Sequence, residues 1–280
     1  MLKKKRIIIF GSKGFIGNDV VQYLREKKCN LITVSRDLID FEKKNSILKT
    51  LKILKKDDTI VFAIARAPCK NHSTFIKNLK ISLNLYEILK KIKNFRQFIY
   101  ISSDAVYKDS MKKIDEKSLV MPGSLHGLMH YSRELMLKNV IKKNLCIIRP
   151  TLVYGKNDTH NSYGPNQFCR LMKKNKNINI FGKGEELRDH IYVRDLSKLV
   201  YQCFINNYDG IINAVTGKVI SFYQIAKFFK KINNKIKIIN IPRTQKMPHN
   251  GYRSFNNKKI KKIFNNFKFT TIKVGLNKIA

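Results

Sequence analysis

Arg6-Ile-Ile-Ile-Phe10 runs directly into Gly11-Ser-Lys-Gly14-Phe-Ile-Gly17, a short β-branched stretch ending in three glycines spaced three apart. The spacing predicts a strand, a tight turn and the start of a helix. Gly11 permits the turn, Gly14 has no Cβ to keep a pyrophosphate from the backbone, and Gly17 lets the next helix pack closely on the sheet. Asp19-Val-Val-Gln-Tyr-Leu24 then has helical amphipathicity. The free N–H groups of Phe15, Ile16 and Gly17 would open that helix, where the dipole favours negative charge. The junction therefore reads as a dinucleotide site.

Outward from it, apolar strands alternate with helical patterns, the signature of βαβ units and a parallel sheet. Leu31–Ser35, Thr59–Ala65, Gln97–Ser103 and Leu145–Arg149 read as further strands. A helix is predicted over Phe75–Lys91, with Ile76, Leu79, Leu83, Tyr86 and Leu89 as its apolar face. After Pro150 the pattern changes to short strands, Asn/Gly turns and shorter helices. The expected architecture is α/β, a Rossmann-type doubly wound parallel sheet with a smaller C-terminal substrate-binding lobe. The expected division is 1–155 for the dinucleotide-binding part, with 190–215 returning to it, and 156–280 for the lobe. Asp195 is expected to cap a helix reaching Phe204, and Ser221-Phe-Tyr-Gln224 has a capping-box pattern. The tail from Asn256 keeps Ile260, Ile263, Phe264, Phe267 and Phe269, so it is expected to fold.

The chain has 280 residues and a net charge of +38, from 57 basic and 19 acidic side chains. Only 12 of the basic residues are Arg. Arginine reads phosphates and bases in a fork, so a lysine excess spread over every segment looks like drift in an A/T-rich coding sequence. Leu2-Lys-Lys-Lys-Arg6 resembles the start of a signal peptide, but only Ile7–Phe10 follow, too short an apolar run for secretion. No stretch reaches the ~20 apolar residues of a membrane span. The five cysteines lack CxxC spacing and read as reduced core residues of a cytoplasmic protein. None of the histidines pairs with Cys or carboxylates at ligand spacing, so no metal site is expected.

Cofactor choice is usually set at the end of the second strand. Here Ser35 and Arg36 stand where an acidic residue would bond the adenosine ribose of NAD. A small hydroxyl and a guanidinium suit a 2′-phosphate, and Lys13 adds charge, which favours NADP. NAD is the alternative if Asp37 does the acidic job. Asp40 would meet the adenine amine, and the small Ala63 and Ala65 suit close approach to a cofactor ring.

The chain resembles the extended short-chain dehydrogenase/reductase superfamily, specifically the NAD-dependent epimerase/dehydratase family acting on nucleotide sugars. The carriers are the glycine loop, Phe98-Ile-Tyr-Ile-Ser-Ser-Asp-Ala-Val-Tyr107, Arg149-Pro-Thr-Leu-Val-Tyr-Gly155, and Phe181-Gly-Lys-Gly-Glu-Glu-Leu-Arg-Asp-His-Ile-Tyr-Val-Arg-Asp195. The resemblance implies that Ser103 hydrogen-bonds the substrate oxygen, that Pro150 and Thr151 meet the nicotinamide amide, and that Asn78 orders backbone near the site. It implies substrate contacts from Asn166, Arg188 and Arg253, with Arg188 on the diphosphate of a nucleotide sugar.

One motif departs from that pattern. The family's Tyr-Gly-x-x-Lys followed by Glu falls on His126-Gly127, His130 and Glu134; the other register, on Tyr131, puts Leu135 at the lysine and loses both the Gly and the Glu. Either His126 is the acid/base, with His130 orienting the nicotinamide ribose or tuning it, or the site is a relic. The expected activity is that of an epimerase, dehydratase or 4-keto reductase for surface polysaccharide, in a cytoplasmic homodimer. The alternative is a non-catalytic dinucleotide-binding protein that binds RNA or regulates.

Overall fold

The computed structural model describes residues 5–92 and 94–280; Leu2, Lys3 and Lys4 of the N-terminal basic run lie outside them. In chain order the elements are β1 (Arg6–Phe10), α1 (Phe15–Glu26), β2 (Asn30–Val34), α2 (Ser46–Ile53), β3 (Thr59–Phe62), α3 (His72–Lys91), β4 (Gln97–Ile101), α4 (Leu125–Val140) and β5 (Leu145–Pro150). There follow β6 (Leu152–Tyr154), α5 (Pro165–Lys173), β7 (Ile178–Phe181), β8 (Leu187–Tyr192), α6 (Val193–Ile205) and β9 (Gly210–Ala214). The chain ends with β10 (Val219–Ser221), α7 (Phe222–Ile232), β11 (Ile238–Ile241), β12 (Tyr252–Arg253), α8 (Lys258–Ile263) and α9 (Ile272–Ile279).

The chain divides into two compact units. The first holds the described residues up to Lys108, with Leu119–Pro150 and Arg194–Ala214. Its six strands form one parallel sheet in the order β2-β1-β3-β4-β5-β9. Ile7, Ile8 and Ile9 are fully buried because β1 lies inside this sheet, covered on both faces. The chain leaves β1 toward β2 on one side and returns to β3 on the other, so the glycine loop sits at the point where strand order reverses. The α/β Rossmann-type sheet is the architecture the motif predicts.

The second unit comprises Asp109–Ser118, Thr151–Val193 and Val215–Ala280. In it β8 pairs antiparallel with β10 and parallel with β6 and β12, and β7 pairs with β11. Phe168, Ile178, Ile180, Phe222, Ile225 and Phe229 make its core. The Ser221 capping box opens α7 as the pattern predicts, with Gln224 closing it. The tail is folded, with Ile260 and Phe264 buried.

Three local expectations are corrected. Helix α3 starts at His72, because Asn71 caps it by accepting from Thr74 N–H at 2.9 Å. Its buried face is Asn78, Ile81, Ser82, Leu85, Ile88 and Leu89, while Ile76 and Leu83 are 52% and 63% exposed. Apolar spacing misjudged this face because Asn78 and Ser82 go inside to make hydrogen bonds. Helix α6 starts at Val193, so Asp195 lies in the first turn, fully buried and 3.0 Å from Lys198 Nζ, instead of capping it. Strand β3 stops at Phe62 instead of Ala65: Ala63 N–H still donates to Phe10 O, but the neighbouring chain then turns away at Gly11.

Close packing at Gly17 is obligatory, since a Cβ there would overlap the Gly11 carbonyl. Gly17→Ala is expected to destabilise by roughly 3 kcal/mol, the upper end of overpacking costs, read as a lower urea midpoint.

Candidate active site

Gly11 adopts φ +86°, and a Cβ on it would lie 2.8 Å from Ala63 O. Only glycine meets both demands. Gly14 is the N-cap residue of α1, with no side chain to cap the helix, and the first turn carries no acidic residue. The N-terminus of α1 is thus left for an outside anion, which fits the pyrophosphate of a dinucleotide held on the backbone of Gly14, Phe15, Ile16 and Gly17.

The charges at the end of β2 are met by carboxylates. Lys13 Nζ lies 2.5 Å from Asp37 Oδ2 and holds that carboxyl below its usual range. Arg36, 57% exposed, lies 3.4 Å from Asp40 and 3.7 Å from Glu42. Glu42 also pairs with Arg66. Ser35 is buried, and Ala63 and Ala65 lie half-buried just beyond β3. Asn78 accepts from Arg66 N–H at 2.9 Å and donates to Arg66 O at 3.0 Å, so it orders the backbone there. Glu42 and Arg66 stand in no recognisable motif, which is why sequence inspection passes over them.

Helix α4 carries the departing motif. Ser124 caps it by accepting from Gly127 N–H at 3.1 Å, and a Cβ on Gly127 would overlap Ala105 O. His126 is half-buried, with Nδ1 3.5 Å from Cys69 N–H. The His130 ring meets it edge to face at 4.8 Å. His130 itself is buried, with Nδ1 2.7 Å from the Tyr100 hydroxyl, so it is turned into the core. Burial, then His126 and Arg133, push its pKa well below the usual imidazole range. Ser103 Oγ accepts from Ala105 N–H at 3.1 Å and keeps its own proton to donate. Ser102 donates to Glu134 at 2.6 Å, and Glu134 clasps Arg149 with two bonds of 2.9 and 2.5 Å. Pro150 ends β5 beside Ala214 of β9.

In the second unit the named arginines are buried and paired. Arg188 donates to Glu186 at 2.6 Å and to Pro248 O at 2.5 Å, and Glu186 also meets Arg243 at 2.6 Å. Arg253 meets Asp109 at 2.9 Å, and His249 lies 2.5 Å from the same carboxylate. Asn166 is buried and accepts from Gly155 N–H at 3.0 Å. Asp189, a neighbour of Arg188 in sequence, binds Thr216 and Gly217 instead. Glu186, Arg243 and Asp109 carry no spacing signal, and only the fold collects them. Among the described residues no His/Cys/Asp/Glu group is arranged to hold a metal, and no helix is long and apolar enough to cross a membrane.

These features define a class: an α/β protein whose glycine turn and uncapped helix suit a dinucleotide. The chain belongs to the NAD dependent epimerase/dehydratase family, whose sequence profile matches residues 7–214. It is 24% identical over 282 residues to a dTDP-D-glucose 4,6-dehydratase of Dictyostelium discoideum, covering 85% of this chain and 62% of that protein. It thus spans less than two thirds of that relative's length. Among solved structures it is similar to UDP-glucose 4-epimerase of Thermotoga maritima with UDP-glucose (21% identity, TM-score 0.83, covering 98% of this chain and 96% of that one). It is also similar to a dTDP-4-dehydrorhamnose reductase of Clostridium acetobutylicum (17% identity, TM-score 0.80, 98% of each chain). At such identities the likeness establishes the fold.

His190 gives the stability of the fold a pH dependence. It is buried on β8, with Nδ1 3.2 Å from Arg188 O, and burial pushes its pKa down to about 4. Above the unfolded value of ~6.5 both folded and unfolded rings are neutral and nothing is gained or lost. As pH falls from ~6.5 toward the folded value only the unfolded chain takes up the proton, so stability falls, by up to about 3 kcal/mol. Urea titrations at stepped pH should show this loss, and His190→Gln should remove its share, leaving the part of the same sign that buried His130 contributes.

Proposed function

We propose that this protein is an NAD(P)-dependent epimerase, dehydratase or 4-keto reductase acting on a nucleotide sugar in the cytoplasm, for surface polysaccharide. Of the two sequence readings, catalysis is the one that family membership supports. The observation that carries it is the presence, in one compact unit, of the uncapped α1 N-terminus, the Ser103 hydroxyl and the half-buried His126. When bound, the dinucleotide supplies the hydride donor or acceptor. Ser103 holds the reacting sugar oxygen through its hydroxyl proton. With Nδ1 turned to Cys69, Nε2 is the His126 atom assigned to that oxygen, and it gives or takes the proton. A neutral imidazole has one donor and one acceptor nitrogen, so it does both without a lysine. Arg188 and Arg253 are assigned to the diphosphate, for which they would exchange Glu186 and Asp109, and Asn166 stays with the sugar-nucleotide loop.

NADP is the preferred dinucleotide in this reading, with Arg36 and Lys13 exchanging Asp40 and Asp37 for the 2′-phosphate. The protein is also read as a homodimer. Support comes from two apolar pairs at two-turn spacing on the packed helices α3 and α4: Ile76 with Leu83, and Leu128 with Leu135, the latter two 43% and 49% exposed. A second copy would cover them.

Incubation with NADP or NAD and UDP-, GDP- and dTDP-sugars, followed by nicotinamide absorbance and sugar analysis, tests the activity. His126→Ala should lower kcat by about 10²–10⁴-fold with dinucleotide binding intact. Normal dinucleotide binding with no turnover of any nucleotide sugar would sink the proposal. Arg36→Ala should weaken NADP about ten-fold and leave NAD nearly unchanged, as loss of a charged hydrogen bond requires. For assembly, Leu83→Glu with Leu135→Glu should convert a dimer to a monomer in sedimentation equilibrium, with the melting transition still cooperative.

A further inference from the structure

His130 occupies the lysine position of the family pattern yet supplies no cation. Its ring is buried, its Nδ1 is 2.7 Å from the Tyr100 hydroxyl, and its edge packs against His126 at 4.8 Å between centroids. The charge lies one turn further along α4, at Arg133, which has no exposed surface. Arg133 donates to Ser82 Oγ at 2.9 Å, Ile64 O at 2.7 Å and Asn78 O at 3.2 Å, and it lies over the rings of Phe62 and Tyr100 at 5.6 and 5.7 Å. Among the described residues no carboxylate pairs with it. Glu134, next in sequence, is committed to Arg149.

The direction of the Tyr100–His130 bond follows from these neighbours. The Arg133 guanidinium over the Tyr100 ring favours phenol lone-pair density toward itself, which leaves the phenol proton for Nδ1 of His130. A neutral imidazole has one donor and one acceptor, so an accepting Nδ1 places the proton on Nε2. The opposite arrangement would aim the phenol hydrogen at Arg133, and a charged His130 would face Arg133, from the same helix, and His126. Tyr100, on β4, is itself pushed up to about 12 by burial, so it stays protonated.

We propose that Tyr100 and Arg133 are positioning residues for His126: they lock His130 as a neutral ring protonated at Nε2, and that fixed ring holds His126 in the orientation its proton transfer needs. The inference rests on the acid/base reading of His126 for its consequence in turnover. Its structural content is independent of that reading. The lysine's duties are thereby split: the fixed positive charge moves inward to Arg133, and the contact surface against the acid/base becomes a neutral aromatic ring.

The test uses the full chain, ¹⁵N-labelled at histidine, as wild type, Tyr100→Phe, His130→Gln, His130→Ala and His126→Ala. In wild type, His130 should show an unprotonated Nδ1 and a protonated Nε2, unchanged through mildly acidic pH. Tyr100→Phe keeps the ring and removes the donor, so the His130 tautomers should mix and the His126 ring resonances should shift and broaden. With turnover, kcat should fall about ten-fold and KM for the nucleotide sugar stay within about two-fold. His130→Gln restores an acceptor for Tyr100 and should recover part of kcat relative to His130→Ala. A protonated Nδ1 in wild type, or His126 resonances unmoved by Tyr100→Phe, would overturn the proposal. If His126→Ala keeps full activity, the acid/base reading fails, and the tautomer and ring-shift measurements still decide the positioning claim.

Discussion

The ion pair of Glu134 and Arg149 is the constraint on which the first unit depends. Both side chains are almost wholly buried, and they meet through two parallel bonds. Ser102 adds a third bond to the carboxylate, the Arg149 guanidinium lies 4.7 Å over the Tyr107 ring, and the Tyr107 hydroxyl donates to Asn213 at 2.7 Å. The network joins the end of β4, the middle of α4, β5 and β9. Breaking such a pair strands a charge in the core, at a cost of about 3–5 kcal/mol. Helix α4 is therefore held in rotation as well as position, and His126 and His130 inherit their directions from it.

Charge is distributed selectively around this frame. With 19 acidic residues against 57 basic ones, most cations have no partner to find. Yet beside the glycine loop Lys13 has Asp37, Arg36 has Asp40 and Glu42, and Arg66 has Glu42. In the second unit Arg188 and Arg243 share Glu186. Several acidic residues thus hold a guanidinium in one geometry, and Lys13 and Lys198 are lysines that also meet a carboxylate. Among the described residues Arg133 meets no carboxylate: backbone and hydroxyl oxygens hold it, so its charge lies uncompensated beneath the histidines.

Much of the fold was legible because the signals are local. A β-branched run ending in glycines, a helix opened by a glycine and strands recurring between helical patterns each follow from a few consecutive residues. The face of α3 was misjudged because burial there is decided by partners: Asn78 holds the Arg66 backbone and Ser82 meets Arg133, so two polar residues go in and Ile76 and Leu83 stay out. Asp195 was misplaced for a related reason, since nothing in its neighbourhood reveals that α6 begins two residues earlier.

The candidate site divides the same way. The glycine loop, the position of Ser103 and the replacement of a tyrosine and lysine by His126 and His130 are matters of residue type and spacing, and one chain of letters carries them. Which histidine turns inward, which arginine supplies the buried charge and which carboxylates answer Arg36, Arg188 and Arg253 are not. Those depend on residues far apart in the chain, such as Tyr100 with His130 and Asp109 with Arg253, brought within hydrogen-bond reach only by folding. Local order sets the backbone, because turns and helix starts need only neighbouring residues. Side-chain direction and charge pairing are decided by the tertiary structure, because burial makes every polar group find a partner wherever the chain has placed one.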